Sequence, residues 1–156
     1  MEPQFVEKPE MILVGIVGCG SDVSQLDIFG LWQRFGEHSK SIKHQIEGKS
    51  YELHIQEETL PSMHFCLVGV EVQEIEDVPI ELFAKVIPCC RYAVFTHHFS
   101  DGDFGYAFKA VYDWLKKSDY APAYPFDIQC YDERFKGPDN PESVLDIYVP
   151  IIPKQG

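Results

Sequence analysis

The sequence has few basic residues. Its 156 residues include 13 lysines and arginines against 25 aspartates and glutamates, which gives a formal net charge of -12. A nucleic-acid-binding surface needs clustered basic side chains to contact phosphates. The lysines and arginines of this chain are scattered along it, so we expect no direct contact with nucleic acid.

Long apolar runs are also missing. No stretch approaches the roughly 20 apolar residues of a membrane span. The apolar segment 11–17 follows acidic residues and lacks the basic region of a secretory signal. The cysteines are odd in number and have no paired spacing: Cys19, Cys66, Cys89, Cys90 and Cys130. We therefore expect a cytoplasmic protein with reduced thiols and no membrane association.

Sequence motifs for nucleotides, metals and catalytic nucleophiles are absent as well. Gly15, Gly18 and Gly20 do not follow the GxGxxG order, and no phosphate-binding Lys-Ser/Thr pair comes after them. HExxH, CxxC and GxSxG motifs do not occur. His97 and His98 are neighbours on a predicted strand, so their side chains face opposite ways. We expect no metal ion and no other cofactor.

Aromatic residues, in contrast, are abundant at 13%, and 45% of the chain is hydrophobic, enough for a packed core. Alternation and helical spacing predict two helices, at 28 to about 46 and at 104–115. The predicted strands are 11–18, 51–56, 63–73, 91–98, 126–135 and 144–151. The order β-α-β-β therefore occurs twice, which predicts a single α+β domain over 1–156, with an antiparallel sheet and pseudo-repeat halves at about 5–75 and 82–153.

One predicted strand face near the C-terminus mixes rings with carboxylates. Parity groups the following side chains on it: Tyr131, Glu133, Phe135, Asp146 and Tyr148. The other set in 126–135 is apolar and is expected to pack under a helix. The mixed face has two interpretations, an exposed strand surface or the wall of a pocket for a flat cationic ligand.

Two further residues have open interpretations. Trp32 lies on the apolar stripe of the first helix, where a core position and a place in a ligand pocket are both consistent with the pattern. Glu71 alternates with Leu67 and Gly69 in an apolar strand. A carboxylate there needs either solvent or a partner, so Glu71 is a second candidate acid.

Five segments occur in a characteristic order along the chain: LWQRF at 31–35, LVGVEV at 67–72, IPCCRYAVFTH at 87–97, YDERF at 131–135 and DIYVPI at 146–151. Together they resemble the GyrI-like small-molecule-binding domain, the effector-binding domain of AraC-type and MerR-type multidrug regulators, which also occurs as a stand-alone protein. The resemblance covers about residues 5–153.

This resemblance implies tandem β-α-β-β modules, the SHS2 arrangement, around a central cleft that binds lipophilic, often planar and cationic compounds. By motif, Glu133 is the buried acid and Tyr148 is a wall residue. Trp32 matches an aromatic position near the cleft. Tyr131 and Phe135, which parity groups with Glu133, are further candidate wall residues. Tyr92 and Phe95 also match motif positions, but parity allows only one of them to line the pocket. The sequence departs from the family pattern at 89–91 and 98–102, which concerns the cleft rim.

Three functions follow as hypotheses. The first is a stand-alone protein that binds lipophilic, planar cations. The second is a hydrolase that opens cyclopropane-containing genotoxins, with Glu133 as general base. The third is a gyrase-interacting protein, suggested by the member that gave the family its name. Because the resemblance begins almost at residue 1, we expect no DNA-binding segment before it and no direct transcription-factor role.

Overall fold

The computed structural model describes residues 1–57, 59 and 62–155. Helix α1 spans Ile28–His38 and helix α2 spans Phe104–Lys117. The strands are β1 Gln4–Lys8, β2 Met11–Gly20, β3 Ser50–Glu57, β4 Met63–Val72, β5 Phe83–Ile87, β6 Cys90–His98, β7 Tyr120–Pro122, β8 Phe126–Tyr131 and β9 Val144–Pro153. They form one antiparallel sheet in the order β1-β6-β9-β8-β3-β4-β2-β5, with β7 paired to the end of β9. The predicted α+β class is confirmed.

Both helices begin at a capping aspartate. The Asp27 carboxylate accepts a hydrogen bond from the Gly30 amide, and the Asp103 carboxylate accepts one from Tyr106, as its sequence position predicts. The predicted extension of α1 to residue 46 is wrong. The helix stops at His38, a short 3-10 turn follows, and His44 has a φ of 62°, which no helix accommodates. The Ile46 amide then donates to the Glu71 carbonyl of β4.

Three edge strands were not predicted, namely β1, β5 and β7. Strand β1 has no fully buried residue and β5 has only Ile87, so neither carries a clear apolar alternation. Their pairing nevertheless crosses the predicted halves. Strand β1 pairs with β6 and strand β5 pairs with β2, so each half of the chain contributes an edge strand to the other.

The two helices cover one face of the sheet. Leu31 and Phe35 of α1 pack on β2 and β4, and Val111 of α2 packs on β6 and β9. The opposite face has its own buried cluster, which includes Leu13 of β2 and Tyr92 of β6. These strands lie near opposite ends of the sheet order, so the sheet curves around the cluster.

The face assignment of β8 corrects the sequence interpretation. Ile128 and Cys130 belong to the cluster on the helix-free face, so they do not pack under a helix. In the β8–β9 pairing, Tyr148 lies opposite Ile128 and therefore shares its face. Tyr131 has the opposite parity and faces the helices. The predicted common face of Tyr131 with Tyr148 is therefore wrong.

The turn after β8 is held by one arginine. Arg134 Nη2 lies 2.8 Å from Asp132 Oδ2 and 2.7 Å from Asp146 Oδ2, which joins the turn to β9. The hydrogen bonds from Arg134 lower the pKa of Asp132, despite the opposing effect of its burial. This contact positions the following segment, which contains Phe135.

Close packing of the paired strands β2 and β4 predicts the effect of one glycine substitution. A Cβ added to Gly15 would lie 2.0 Å from the Val68 carbonyl oxygen of β4. Gly15→Ala is expected to lower the free energy of unfolding by about 1–3 kcal/mol, because two backbones must separate. In the control Gly36→Ala, helix α1 offers open space and stability should rise by about 0.4–1 kcal/mol. Urea unfolding measures the stability of both variants. Equal effects of the two substitutions would contradict the close contact between β2 and β4 as the cause.

The Arg134 contacts predict a pH-dependent stability. The folded pKa of Asp132 lies below its unfolded value, so its contribution is present above the unfolded pKa of 3.8 and is lost as the pH falls through the folded pKa. Arg134→Met should cost about 0.5–1 kcal/mol at neutral pH, because the pair is partly exposed. Urea unfolding at pH 7 and pH 3 should show this difference shrinking in acid. A constant difference would show that Arg134 acts through packing alone.

Candidate ligand-binding site

A cavity of about 870 Å³ lies on the helix face of the sheet, where α1 approaches strands β3 and β8. Helix α1 supplies Phe29 and Trp32, the strands supply Glu52 and Tyr131, and the loop after β8 supplies Phe135. Phe104 at the start of α2 completes the wall. The cavity therefore receives residues from both predicted halves of the chain.

The rings of the wall are arranged edge to face. The centroids of Trp32 and Tyr131 are 5.1 Å apart with an interplanar angle of 76°. Those of Tyr131 and Phe135 are 4.8 Å apart at 86°. Phe29 at the mouth is 73% exposed, unusual for a large apolar ring. The cavity thus presents ring faces and an apolar entrance to a ligand.

A buried carboxylate, Glu52, belongs to this wall and is 5% exposed. Its Oε2 accepts hydrogen bonds from the Trp32 indole N–H and from the Tyr131 hydroxyl, both at 2.8 Å. Its Oε1 lies 2.8 Å from Nε2 of His54, two residues further along the same face of β3. Both oxygens are therefore satisfied, as a buried charge requires.

The charge states of Glu52 and His54 follow from the groups that they contact. Burial raises the pKa of Glu52, but hydrogen bonds from His54, Trp32 and Tyr131 outweigh that effect and hold the pKa below its usual range. Burial lowers the pKa of His54, but its contacts with Cys66 and Glu52 outweigh that effect and raise the pKa to about 10. Burial also raises the pKa of Tyr131, which stays a neutral donor. These directions favour an ion pair between the Glu52 carboxylate and a protonated His54 at neutral pH.

The predicted site residues separate into three groups. Trp32, Tyr131 and Phe135 line the cavity. Glu133 is exposed in a turn, because β8 ends at Tyr131, and it is not the buried acid that the motif implied.

Three further predicted site residues lie on the helix-free face, namely Tyr92, Tyr148 and Glu71, whereas Phe95 is buried under α2. Tyr92 is buried on the helix-free face beside Tyr148, with ring centroids 5.6 Å apart, and the Lys8 ammonium lies over the Tyr148 ring. Glu71 is half-buried on β4 and pairs with Leu13, a member of that cluster. None of these three contributes to the wall of the 870 Å³ cavity, as far as the described residues show.

Sequence reasoning missed Glu52. The segment 51–56 alternates apolar with polar residues, and Glu52, His54 and Gln56 share one face. Such an alternation is typical of a strand with one solvent-exposed side. The segment contains no signal for the burial of Glu52, because that burial comes from Trp32 and Tyr131, which are distant in sequence.

A second cavity of about 420 Å³ adjoins the first and shares Glu52 and Tyr131 with it. It extends over His54 and His64 to Asp127. Burial raises the pKa of Asp127 to about 6, and its Oδ1 has no hydrogen-bond partner among the described residues.

Two groups of side chains place possible metal-ligating atoms within 4.8 Å of one another: Glu52, His54 and Cys66, which are buried, and His44, Glu74 and Glu76, which are exposed.

Within the described ranges, neither α1 nor α2 has the length and apolar character needed to cross a membrane.

Comparisons with known proteins agree with this fold. The transcriptional regulator BrlR of Pseudomonas aeruginosa is 36% identical over 156 residues, which is 97% of this chain and 56% of that regulator. The chain thus spans little more than half the length of this relative.

Two solved structures share the fold at low identity. The structure of SAV2435 bound to tetraphenylphosphonium has a TM-score of 0.75 and 18% identity, over 97% of this chain and 94% of that one. A hydrolase from Listeria innocua has a TM-score of 0.56 and 14% identity, over 97% and 92%. The family profile described as the GyrI-like small molecule binding domain matches residues 1–152, and the chain belongs to this family.

Proposed function

We propose that this protein binds lipophilic, planar or aryl-substituted cations in the 870 Å³ cavity, with Glu52 as the buried carboxylate of the site. The observation that carries the proposal is the buried Glu52 carboxyl group held among the rings of Trp32 and Tyr131. A volume of 870 Å³ lies within the usual range of small-molecule sites, about 300–1,000 Å³.

The rings supply the apolar part of the recognition. The ring of Tyr131 lies between those of Trp32 and Phe135. Its centroid is 5.1 Å from that of Trp32 and 4.8 Å from that of Phe135. A cation over such a ring gains about 0.5–2 kcal/mol, with the larger values for desolvated contacts. Phe29 at the mouth adds apolar area for the part of the ligand that stays near solvent.

The carboxylates of the wall support a cationic ligand. The lining contains three carboxylates, those of Glu47, Glu52 and Asp132, and one ammonium group, that of Lys49, but Asp132 is already paired with Arg134. His54 already neutralises part of the Glu52 charge at Oε1, so a ligand gains less than from a bare carboxylate. Oε2 of Glu52 lies beside the rings of Trp32 and Tyr131, so its negative charge is the one that attracts the ligand. The protein SAV2435, whose structure contains tetraphenylphosphonium, shares this fold, which supports the ligand class proposed.

A role as the effector-binding part of a transcription regulator is a related proposal, supported by the 36% identity to BrlR. In that role, occupation of the cavity would be the signal that the protein reports.

Hydrolysis is the alternative that the cavity chemistry keeps open. Glu133 is exposed outside the cavity wall, so a general base in this cavity would be Glu52. The lowered pKa of Glu52 makes it a weak base, which favours binding over catalysis. Mass spectrometry with a cyclopropane-containing alkylator separates the two, since repeated addition of water shows turnover and a stoichiometric complex shows binding only.

The Glu52 assignment predicts a selective loss of affinity. Glu52→Gln should weaken tetraphenylphosphonium binding at least about tenfold, since a charged contact of roughly 1.5 kcal/mol is lost while the amide keeps the shape. Isothermal titration calorimetry measures the affinity. The matched control is Glu133→Gln, which removes the same charge from the exposed turn and should bind like the wild type. Equal affinities for Glu52→Gln and the wild type would overturn the assignment.

The two tryptophans allow the cavity to be located by fluorescence. Trp32 lines the cavity, whereas Trp114 packs on Phe95 and Tyr120, away from it. In Trp114→Phe, the remaining Trp32 emission should be quenched as tetraphenylphosphonium is added. In Trp32→Phe, the Trp114 emission should not respond. Quenching of Trp114 instead would place the ligand elsewhere.

A further inference from the structure

We propose that Glu52, His54 and Cys66 form a binding site for a divalent transition-metal ion of the zinc class, beside the aryl-cation cavity. Their ligand atoms are Glu52 Oε1, His54 Nε2 and Cys66 Sγ, which lie within 4.8 Å of one another, and all three residues are buried.

The β-sheet places these side chains together. Glu52 and His54 are two residues apart on β3 and so share one face. Cys66 of β4 is the register partner of His54, which brings its thiol to the same face. No short sequence motif reports such a set, because one ligand comes from the neighbouring strand.

The distances are close to those of a coordinated ion. His54 Nε2 lies 2.8 Å from Glu52 Oε1 and 3.8 Å from Cys66 Sγ. In a tetrahedral zinc site, bonds of about 2.0–2.3 Å put ligand atoms about 3.3–3.7 Å apart. The site therefore needs the nitrogen and oxygen to separate by about half an ångström. The ion would replace the proton between them and the thiol proton of Cys66, and both protons pass to solvent.

The surroundings of the three ligands complete the site. Oε2 of Glu52 keeps its bonds from Trp32 and Tyr131 while Oε1 ligates. His54 Nδ1 lies 2.9 Å from His64 Nε2, so its N–H can donate there and orient the ring, as the outer partners of metal-bound histidines do.

A second carboxylate adds negative potential. Asp127 of β8 is the register partner of His54, and its buried Oδ1 has no hydrogen-bond partner within the described segments. Glu52 and His54 also line the 420 Å³ cavity, which provides an entry path and room for a fourth ligand such as water. Nitrogen, sulfur and oxygen together suit zinc better than calcium or magnesium.

Cobalt(II) spectroscopy on the reduced protein tests the proposal, without any aryl cation present, so its outcome is independent of the proposed function. The wild type should bind one Co²⁺ with a near-ultraviolet thiolate-to-cobalt band that Zn²⁺ displaces. Cys66→Ala should abolish the band, and His64→Gln should weaken binding about 10-fold or more. Glu52→Gln, which keeps the shape of the site, should also weaken it at least about tenfold, and remains informative if Cys66→Ala fails to fold.

Two controls separate this site from others. Cys130→Ser changes a buried thiol on the helix-free face, and His44→Gln disrupts the exposed group with Glu74 and Glu76. Both should bind Co²⁺ like the wild type. Absence of the band in the wild type, its survival in Cys66→Ala, unchanged affinity in Glu52→Gln, or its loss in His44→Gln would overturn the proposal.

Discussion

The antiparallel pairing of β3 with β8 is the constraint on which the site depends. It joins a strand from each half of the chain, with Glu52 opposite Gln129, and so places Tyr131 beside the Glu52 carboxylate. Side chains alternate along a strand, so a one-residue slip would turn Glu52 to the helix-free face. The apolar residues Leu53 and Ile128, which are register partners buried on that face, hold the register.

The burial of Glu52 connects stability with binding. A carboxylate removed from water needs partners on both oxygens, and Trp32, Tyr131 and His54 supply them. The same hydrogen bonds fix the two aromatic rings before any ligand arrives. Pre-organised rings lose little conformational freedom on binding, which favours affinity for rigid aryl compounds. The charge that the fold must stabilise is thus also the charge that a cationic ligand senses.

The sequence predicts the central part of the fold well. Helix α2 and the inner strands have strong periodicity, because one face of each is buried. Edge strands β1 and β5 bury almost nothing, so their sequences contain little signal. The predicted end of α1 is too late, because His44 has a positive φ and the next residue pairs with β4, a contact distant in sequence.

The candidate site was only partly predictable, for a related reason. The family resemblance predicts Trp32 near a cleft and strand parity predicts Tyr131 and Phe135 on a pocket wall, and the structure places all three in one cavity wall. The YDERF motif and strand parity both place the acid at Glu133, but β8 ends at Tyr131 and Glu133 lies in an exposed turn. Glu52 looked like an exposed strand residue, since alternation shows which residues share a face and not whether water reaches that face.

A crystal structure of the protein with tetraphenylphosphonium tests the central claim most directly. This account predicts ligand density between Trp32, Tyr131 and Phe135, with the phosphonium centre on the Glu52 side of the cavity and Glu133 still in solvent. Density on the helix-free face, against Tyr92 and Tyr148, would contradict it.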